Sequence, residues 1–419
     1  MARNVRQIRR KGKHLSLVPT PVSAAPDLES RVALIQALIP VALEQVHAAL
    51  QAEVVSLAGE RYAREGRQLG HVRWTPQAGS IYLADQKIPI AVPRVRDRLR
   101  NQEVPLQTYT QLQQPRAVDA GLLHKVLGGL STREYERCAE AVPEAFGLSA
   151  STVSRRFIRA SARKLRELQD RRLETYDVVA VLLDGKTFAE DAMVTAVGVT
   201  ITGEKVLLGF VQTATENRKV CAAFLRELVD RGLRVEAGLL VVTDGAKGLH
   251  AAVREVFGVA AQLQRCQWHK RENVVAYLSE RQRPTFRRKL QAAYEQATLD
   301  GATRALKKVR AELVLLNASA ATSLDEGLAE TLTLHRLGLV RELGTSLKTT
   351  NAIESIHARV ESRTAKIDYW KNSDQKQRWL ATALLDLEPT LRRIKNYQAL
   401  PLLRDALRRQ VEDVKKPAA

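Results

Sequence analysis

Two short apolar runs constrain this chain more than anything else in it: VVAVLLDG at 178–185 and AGLLVVTDG at 237–245. Unbroken apolar runs of this length belong to strands buried inside a sheet, since a strand with one wet face alternates apolar and polar residues. Both runs stop at the same dipeptide, Asp184-Gly185 and Asp244-Gly245. Each therefore ends a buried strand on a carboxylate, where glycine lets the backbone turn sharply and leaves room for a metal or phosphate. An Asp-Gly pair that only closes a strand with a turn is common, and either aspartate alone favours that reading. Two of them on neighbouring strands favour a functional site, because open α/β sheets collect ligands outside the carboxyl ends of their strands.

The flanking segments complete a sheet. MVTAVGVTITG and EKVLLGFVQTA read as two strands joined by a tight turn at Gly203. Residues 219–233 carry Val220, Phe224, Leu225, Leu228 and Val229 at helical spacing, Ala246 to Phe257 reads as a second helix, and AQLQRCQWH (261–269) as a fifth strand. Three antiparallel strands, a helix, a strand, a helix and a strand make an α/β domain with a mixed sheet. From about 270 to 345 the pattern is helical and charged; a further helix begins near Thr349 and carries Glu354 and Glu361, and the stretch after 388 is helical and basic.

Upstream, residues 28–66 read as helix, 71–95 as a small sheet and 117–175 as helix again. Within the last, a helix ending at Phe146-Gly147 and a second one capped by Ser149 or Ser151 form a helix-turn-helix candidate. The second helix carries Arg155, Arg156, Arg159 and Arg163, residues suited to phosphate and base edges in a major groove. The whole chain has 66 Lys and Arg against 46 Asp and Glu, a net charge of +20, which points to a polyanionic partner. No apolar run is long enough for a spanning helix, and MARNVRQIRRKGKH lacks the apolar stretch of a secretory signal. Cys138, Cys221 and Cys266 are too far apart for a disulfide framework or a zinc ribbon, so the chain reads as cytosolic.

Cleaving and joining phosphodiesters calls for carboxylates brought together from separate elements to hold divalent cations, commonly a pair ~3.5–4 Å apart. Asp184 and Asp244 fit that requirement. The residues alone leave the third ligand open: Glu354 has a bland role as capping-box partner of Asn351, and Glu361 lies on the same helix face. Cys266-Gln267-Trp268-His269 closes the fifth strand among Arg265, Lys270 and Arg271. Its two soft ligands could begin a zinc site, but no second pair lies close in sequence, which favours a buried Cys beside a polar His. The surrounding cations suit a DNA phosphate.

VLLDGKTF, VVTDGAKGLHAAV, RCQWHKREN and LKTTNAIESIHARV follow one another in that order, and with them the chain resembles the Mutator-like bacterial insertion-sequence transposases of the IS256 type. The resemblance runs from about residue 45 to 390; residues 1–30 and the stretch around 98–118 depart from it. It implies an RNase H-like mixed-sheet core interrupted by an all-α insertion, behind a largely helical N-terminal DNA-binding region. It implies a catalytic, metal-binding triad of Asp184, Asp244 and Glu354, choosing Glu354 over Glu361. The cofactor implied is Mg²⁺, with Mn²⁺ as a substitute and no organic cofactor. Cys266 and His269 match a C-x-x-H motif that implies a place near the active site and not a zinc site. Arg155, Arg156, Arg159, Arg163, Arg265, Lys270 and Arg271 are the expected DNA contacts. The partners implied are double-stranded DNA (terminal inverted repeats and target) and a second copy or larger synaptic assembly, in the bacterial cytoplasm at the nucleoid, with no membrane. The expected layout is a basic arm (1–27), a helical and small-sheet region (28–115), the helix-turn-helix (116–176), the core (177–269), the insertion (270–345), the final core helices (346–390) and a basic tail (391–419).

Overall fold

Alternation decides how the central sheet is covered. A computed structural model of the chain describes residues 28–62, 70–83, 86–113, 116–133, 149–213 and 217–415. The first helix of the expected helix-turn-helix and the basic arm lie outside them. Five strands, β4 (Val178–Phe188), β5 (Asp191–Thr200), β6 (Lys205–Thr213), β7 (Leu239–Thr243) and β8 (Ala261–Arg265), form a sheet of order β6-β5-β4-β7-β8. β4, β5 and β6 are antiparallel neighbours, while β4–β7 and β7–β8 are parallel. This is the mixed sheet that the apolar runs imply.

Side chains alternate across a strand, so Ala180, Leu182, Leu240 and Val242 face one layer and Val181, Leu183, Leu239 and Val241 the other. The second layer is α5 (Arg218–Asp230) and α6 (Lys247–Phe257), which bury Phe224, Leu225, Leu249 and Val253. The first holds α13 (Val340–Leu347), α14 (Asn351–Thr364), α15 (Ser373–Leu387) and α16 (Leu400–Lys415). By the same alternation Asp184, two residues beyond Leu182, faces the layer that contains α14. Thr243 faces the layer that contains α6.

Several elements differ from the sequence-based expectation. β4 does not stop at Asp184: Gly185, Lys186 and Thr187 continue it, paired with Val194, Met193 and Ala192 of β5. Backbone pairing in that hairpin carries the strand past its apolar stretch. β8 ends at Arg265, and α7 (Gln267–Ala276) starts at once with Cys266 as its N-cap, so the Cys-Gln-Trp-His segment opens a helix. α7 leads into α8 (Arg283–Tyr294), α9 (Leu299–Leu316), α10 (Ala318–Asp325) and the short α11 (Leu328–Thr331). These share a core of their own, including Phe286, Leu290, Leu306, Leu313 and Leu332. From Leu334, on α12 (Thr333–Arg336), the buried leucines join the sheet's core. The stretch expected as a basic tail contains α16, whose Leu400, Leu403 and Leu407 are fully buried. Burying one such side chain stabilises by about 1.5–3 kcal/mol, and Arg404 adds hydrogen bonds to the carbonyls of Gly238 (3.1 Å) and Val178 (2.8 Å).

α3 (Arg116–Leu127) and α4 (Ala150–Gln169) belong to this same unit. α4 starts after Ser149, as expected, and buries Val153, Phe157, Ala160, Leu165 and Leu168. Phe157 lies 4.6 Å from the Trp379 ring of α15, and Arg378 donates to Ser161 Oγ at 3.0 Å. The other compact unit lies, among the described residues, within 28–113. It contains α1 (Leu28–Ala58), the long hairpin β1 (His71–Leu83) and β2 (Gln86–Asp97), β3 (Gln102–Val104) and α2 (Gln107–Leu112). Leu50, Val54 and Ala58, one face of α1, pack with Val95 and Leu106. Glu53 accepts the N–H groups of Gln107 (2.6 Å) and Thr108 (3.0 Å), satisfying donors that the start of α2 would leave orphaned. Among the described residues no helix is long and apolar enough to cross a membrane.

Candidate active site

Leu183 of β4 and Thr243 of β7 are paired in the parallel register, and the residue after each is an aspartate. Asp184, within β4, and Asp244, one residue past the end of β7, thus follow paired positions on two adjacent interior strands of the sheet. Asp184 is 6% exposed, and its Oδ2 lies 3.3 Å from His357 Nδ1 on α14, itself 5% exposed. Neither ring nitrogen of His357 makes a hydrogen bond, so its approach to Asp184 is a close contact of the two side chains and not a hydrogen bond. His357 is the functional candidate that sequence reading missed. A single helical histidine carries no signal by itself, although its place three residues after Glu354 puts it on the same helix face.

Asp244 is half-buried, and its Oδ1 accepts the N–H of Ala246 at 3.1 Å. Thr243 Oγ1 accepts the Gly245 N–H (3.1 Å) and meets His250 Nε2 at 2.6 Å. Burial, then the nearby Arg265 charge, hold the His250 imidazolium below the usual histidine range. Gly245 has φ +102°, and a Cβ there would come within 2.6 Å of Arg265 Cζ. The space beside Gly245 is therefore filled by a guanidinium of this chain. Gly327 (φ +67°) flanks the same group, and Arg265 Nη1 donates to the Glu326 carbonyl at 2.9 Å.

α14 begins after Thr350, not after Asn351, and Thr350 is fully buried. Its hydroxyl donates to Glu354 Oε1 at 2.6 Å and lies 3.3 Å from His269 Nδ1 and 3.4 Å from Cys266 Sγ. Its backbone N–H also points at Cys266 Sγ, at 3.4 Å. Glu354 is therefore held by the threonine hydroxyl, and the capping box drawn from Asn351 does not form. Glu361, the rival, pairs with Lys186 at 2.7 Å on the exposed side of the helix. Among the described residues the compact ligand set is Cys266, His269 and Glu354, whose donor atoms lie within 4.8 Å of one another. The Cys266 hydrogen bond, with the charges of Cys266, Glu354 and Asp244, outweighs burial and pushes His269 up to about 9. Burial pushes the Cys266 thiol up, but hydrogen bonds from His269 and Thr350 win and hold it below its ordinary value.

Of the expected DNA contacts, Arg155, Arg159 and Arg163 form an exposed stripe at four-residue spacing along α4, while Arg156 is turned inward at 4% exposure. Arg265 is buried as described. Lys270 is 1% exposed, its Nζ has no hydrogen-bond partner, and burial, with Arg265 next, pushes it down to about 8. Arg271 is mostly covered and donates to Glu272 (3.0 Å) and Gln291 (2.9 Å). Isolated cations in a sequence read as solvent-facing, and these three are exceptions created by the fold of the insertion over β8.

A sequence model described as "Transposase, Mutator family" matches residues 20–392. The transposase for insertion sequence element IS256 in transposon Tn4001 of Staphylococcus aureus is 25% identical over 314 residues, 72% of this chain and 77% of the relative. That for element IS6120 of Mycolicibacterium smegmatis is 31% identical over 245 residues, 57% and 74% of the two chains. That for element IS1081 of Mycobacterium tuberculosis is 25% identical over 335 residues, 76% and 77%.

Proposed function

The chain belongs to the Mutator family of transposases, and from that membership we propose that it grips the terminal inverted repeats of its own insertion sequence and cuts and joins DNA strands through Asp184, Asp244 and Glu354. The observation that carries the reading is the pair of aspartates one residue beyond Leu183 and Thr243 on adjacent parallel strands, with α14 supplying His357 to one of them. The strand order β6-β5-β4-β7-β8 with helices on both faces supports an RNase H-like core.

All three groups are hard oxygen donors, and a carboxylate as buried as Asp184 calls for a cation, which fits Mg²⁺ with Mn²⁺ as a substitute. When bound, such ions activate the attacking oxygen and neutralise charge on the leaving one. The residues do the positioning. The buried strand β4 fixes Asp184, the turn after β7 holds Asp244, His357 packs against the Asp184 carboxylate, and the Thr350 hydroxyl fixes the rotamer of Glu354. Arg155, Arg159 and Arg163 hold phosphates along α4, the second helix of a helix-turn-helix. Arg265, buried beside Gly245, acts on DNA through the positive charge it places there, while the covered Lys270 and Arg271 support the fold around it rather than touching phosphates. Holding two ends at once calls for a homodimer or a larger synaptic assembly.

The test is incubation of the full chain with labelled DNA carrying the element's own ends, with Mg²⁺ or with chelator. Metal-dependent nicks at the ends, followed by a joined product, are expected. Nicks without any joined product would make the chain a nuclease, and bound but uncut ends would make it a DNA-binding protein without catalysis.

A further inference from the structure

We propose that Cys266, His269 and Glu354 form a site for a thiophilic divalent cation of the zinc class, and that this ion competes with Mg²⁺ for Glu354. A thiol sulfur, an imidazole nitrogen and a carboxylate oxygen lie within 4.8 Å of one another, with His269 Nδ1 and Glu354 Oε1 3.9 Å apart. Bonds of ~2.0–2.3 Å around a tetrahedral ion separate neighbouring donors by roughly 3.3–3.6 Å. A contraction of about an ångström therefore brings all three donors to bonding distance, leaving the fourth position of a tetrahedral ion open.

The donors are already in place. Cys266 and His269 share the first turn of α7 and Glu354 the first turn of α14. The two helix starts are tied by Gln267 N–H to the Lys348 carbonyl (3.0 Å), and Cys266 N–H binds the Thr243 carbonyl at the end of β7 (2.7 Å). Cys266 is buried, while the side chains of His269 and Glu354 are 30% and 36% exposed, so a bound ion keeps an open position towards solvent. The Thr350 hydroxyl faces all three groups with one proton to give, and donates it to Glu354. A cation satisfies all three at once. Sulfur and imidazole ligands select zinc-class ions over Mg²⁺, and Glu354 cannot serve both. The site stands on this geometry, and only its consequence for DNA cleavage rests on the proposed function.

Co²⁺ is the probe, added to the chelator-stripped full chain. Wild type is expected to show a thiolate-to-cobalt charge-transfer band together with the intense visible bands of four-coordinate cobalt, both displaced by one equivalent of Zn²⁺. Cys266→Ser should lose the charge-transfer band, and His269→Asn should bind Co²⁺ at least tenfold more weakly. Circular dichroism checks that each variant is folded; should Cys266→Ser fail to fold, His269→Asn, altered at a partly exposed position, decides alone. Absence of the band in wild type, its survival in folded Cys266→Ser, or unchanged binding by His269→Asn would overturn the site. A chain that binds cobalt in this way yet never cuts DNA would uphold the site and overturn the proposed function.

Discussion

The two Asp-Gly pairs look alike as sequence and are built differently. At Asp184-Gly185 the strand runs on: Gly185 pairs with Val194, and its carboxylate neighbour is buried against one imidazole. At Asp244-Gly245 the strand has ended, the glycine is left-handed, and the space beside it is filled by the buried guanidinium of Arg265. The same dipeptide thus serves strand continuity in one place and a turn wrapped around a guanidinium in the other. What an Asp-Gly pair does is decided by what packs on it, α14 in the first case and Arg265 from the end of β8 in the second.

That contrast sets the expected effects. Gly245→Ala should be the most damaging to stability. A left-handed conformation costs an alanine about 1–2 kcal/mol, and displacing a buried, hydrogen-bonded guanidinium adds to it, for a loss of roughly 3 kcal/mol in urea unfolding. A loss below about 1 kcal/mol would mean that Arg265 does not occupy that space. Lys270→Met should instead stabilise. The folded-state pKa of Lys270 is lowered to about 8, so the unfolded chain binds more protons between about 8 and 10.5 and stability rises with pH across that window. The cost of burying the charge is full below pH 8, and removing it should gain about 3 kcal/mol at pH 7, shrinking towards nothing near pH 10.5. A gain that is constant with pH would contradict the buried charge.

On the other side of the comparison, His357→Phe should raise the Mg²⁺ concentration needed for half-maximal cleavage by roughly tenfold, the usual scale for losing a partner of a metal-binding carboxylate. An unchanged Mg²⁺ dependence would reduce His357 to packing. Gly185→Ala should be the mildest, within about 1 kcal/mol of wild type by the same urea measurement, because its backbone needs no left-handed conformation. If it cost as much as Gly245→Ala, the contrast between the two pairs would collapse.

Much of the sheet was legible because it rests on periodicity. Unbroken apolar runs announced β4 and β7, helical spacing announced α5, and Gly203 marked a turn that does adopt φ +84°. The limits of elements were less legible. β4 continues through Lys186 and Thr187, where cross-strand pairing and not hydrophobicity decides. Cys266 and Thr350 sit at N-cap positions without a side-chain capping bond, and what ties them is the Thr350 N–H to Cys266 Sγ, 84 residues away. Charge misled in a systematic way: Arg156, Arg265 and Lys270 are buried by neighbours that no local pattern encodes. His357 was invisible for the same reason, because its partner Asp184 is adjacent only once α14 packs on the sheet.

The central claim is that Asp184 does chemistry and not only structure, and single-turnover cleavage of labelled element ends by Asp184→Asn tests it most directly, with end binding and thermal stability measured on the same protein. Loss of several kcal/mol of transition-state stabilisation corresponds to a fall of about a thousandfold or more in rate, with binding and stability close to wild type. Cleavage by Asp184→Asn within a few fold of wild type would contradict the assignment of the site.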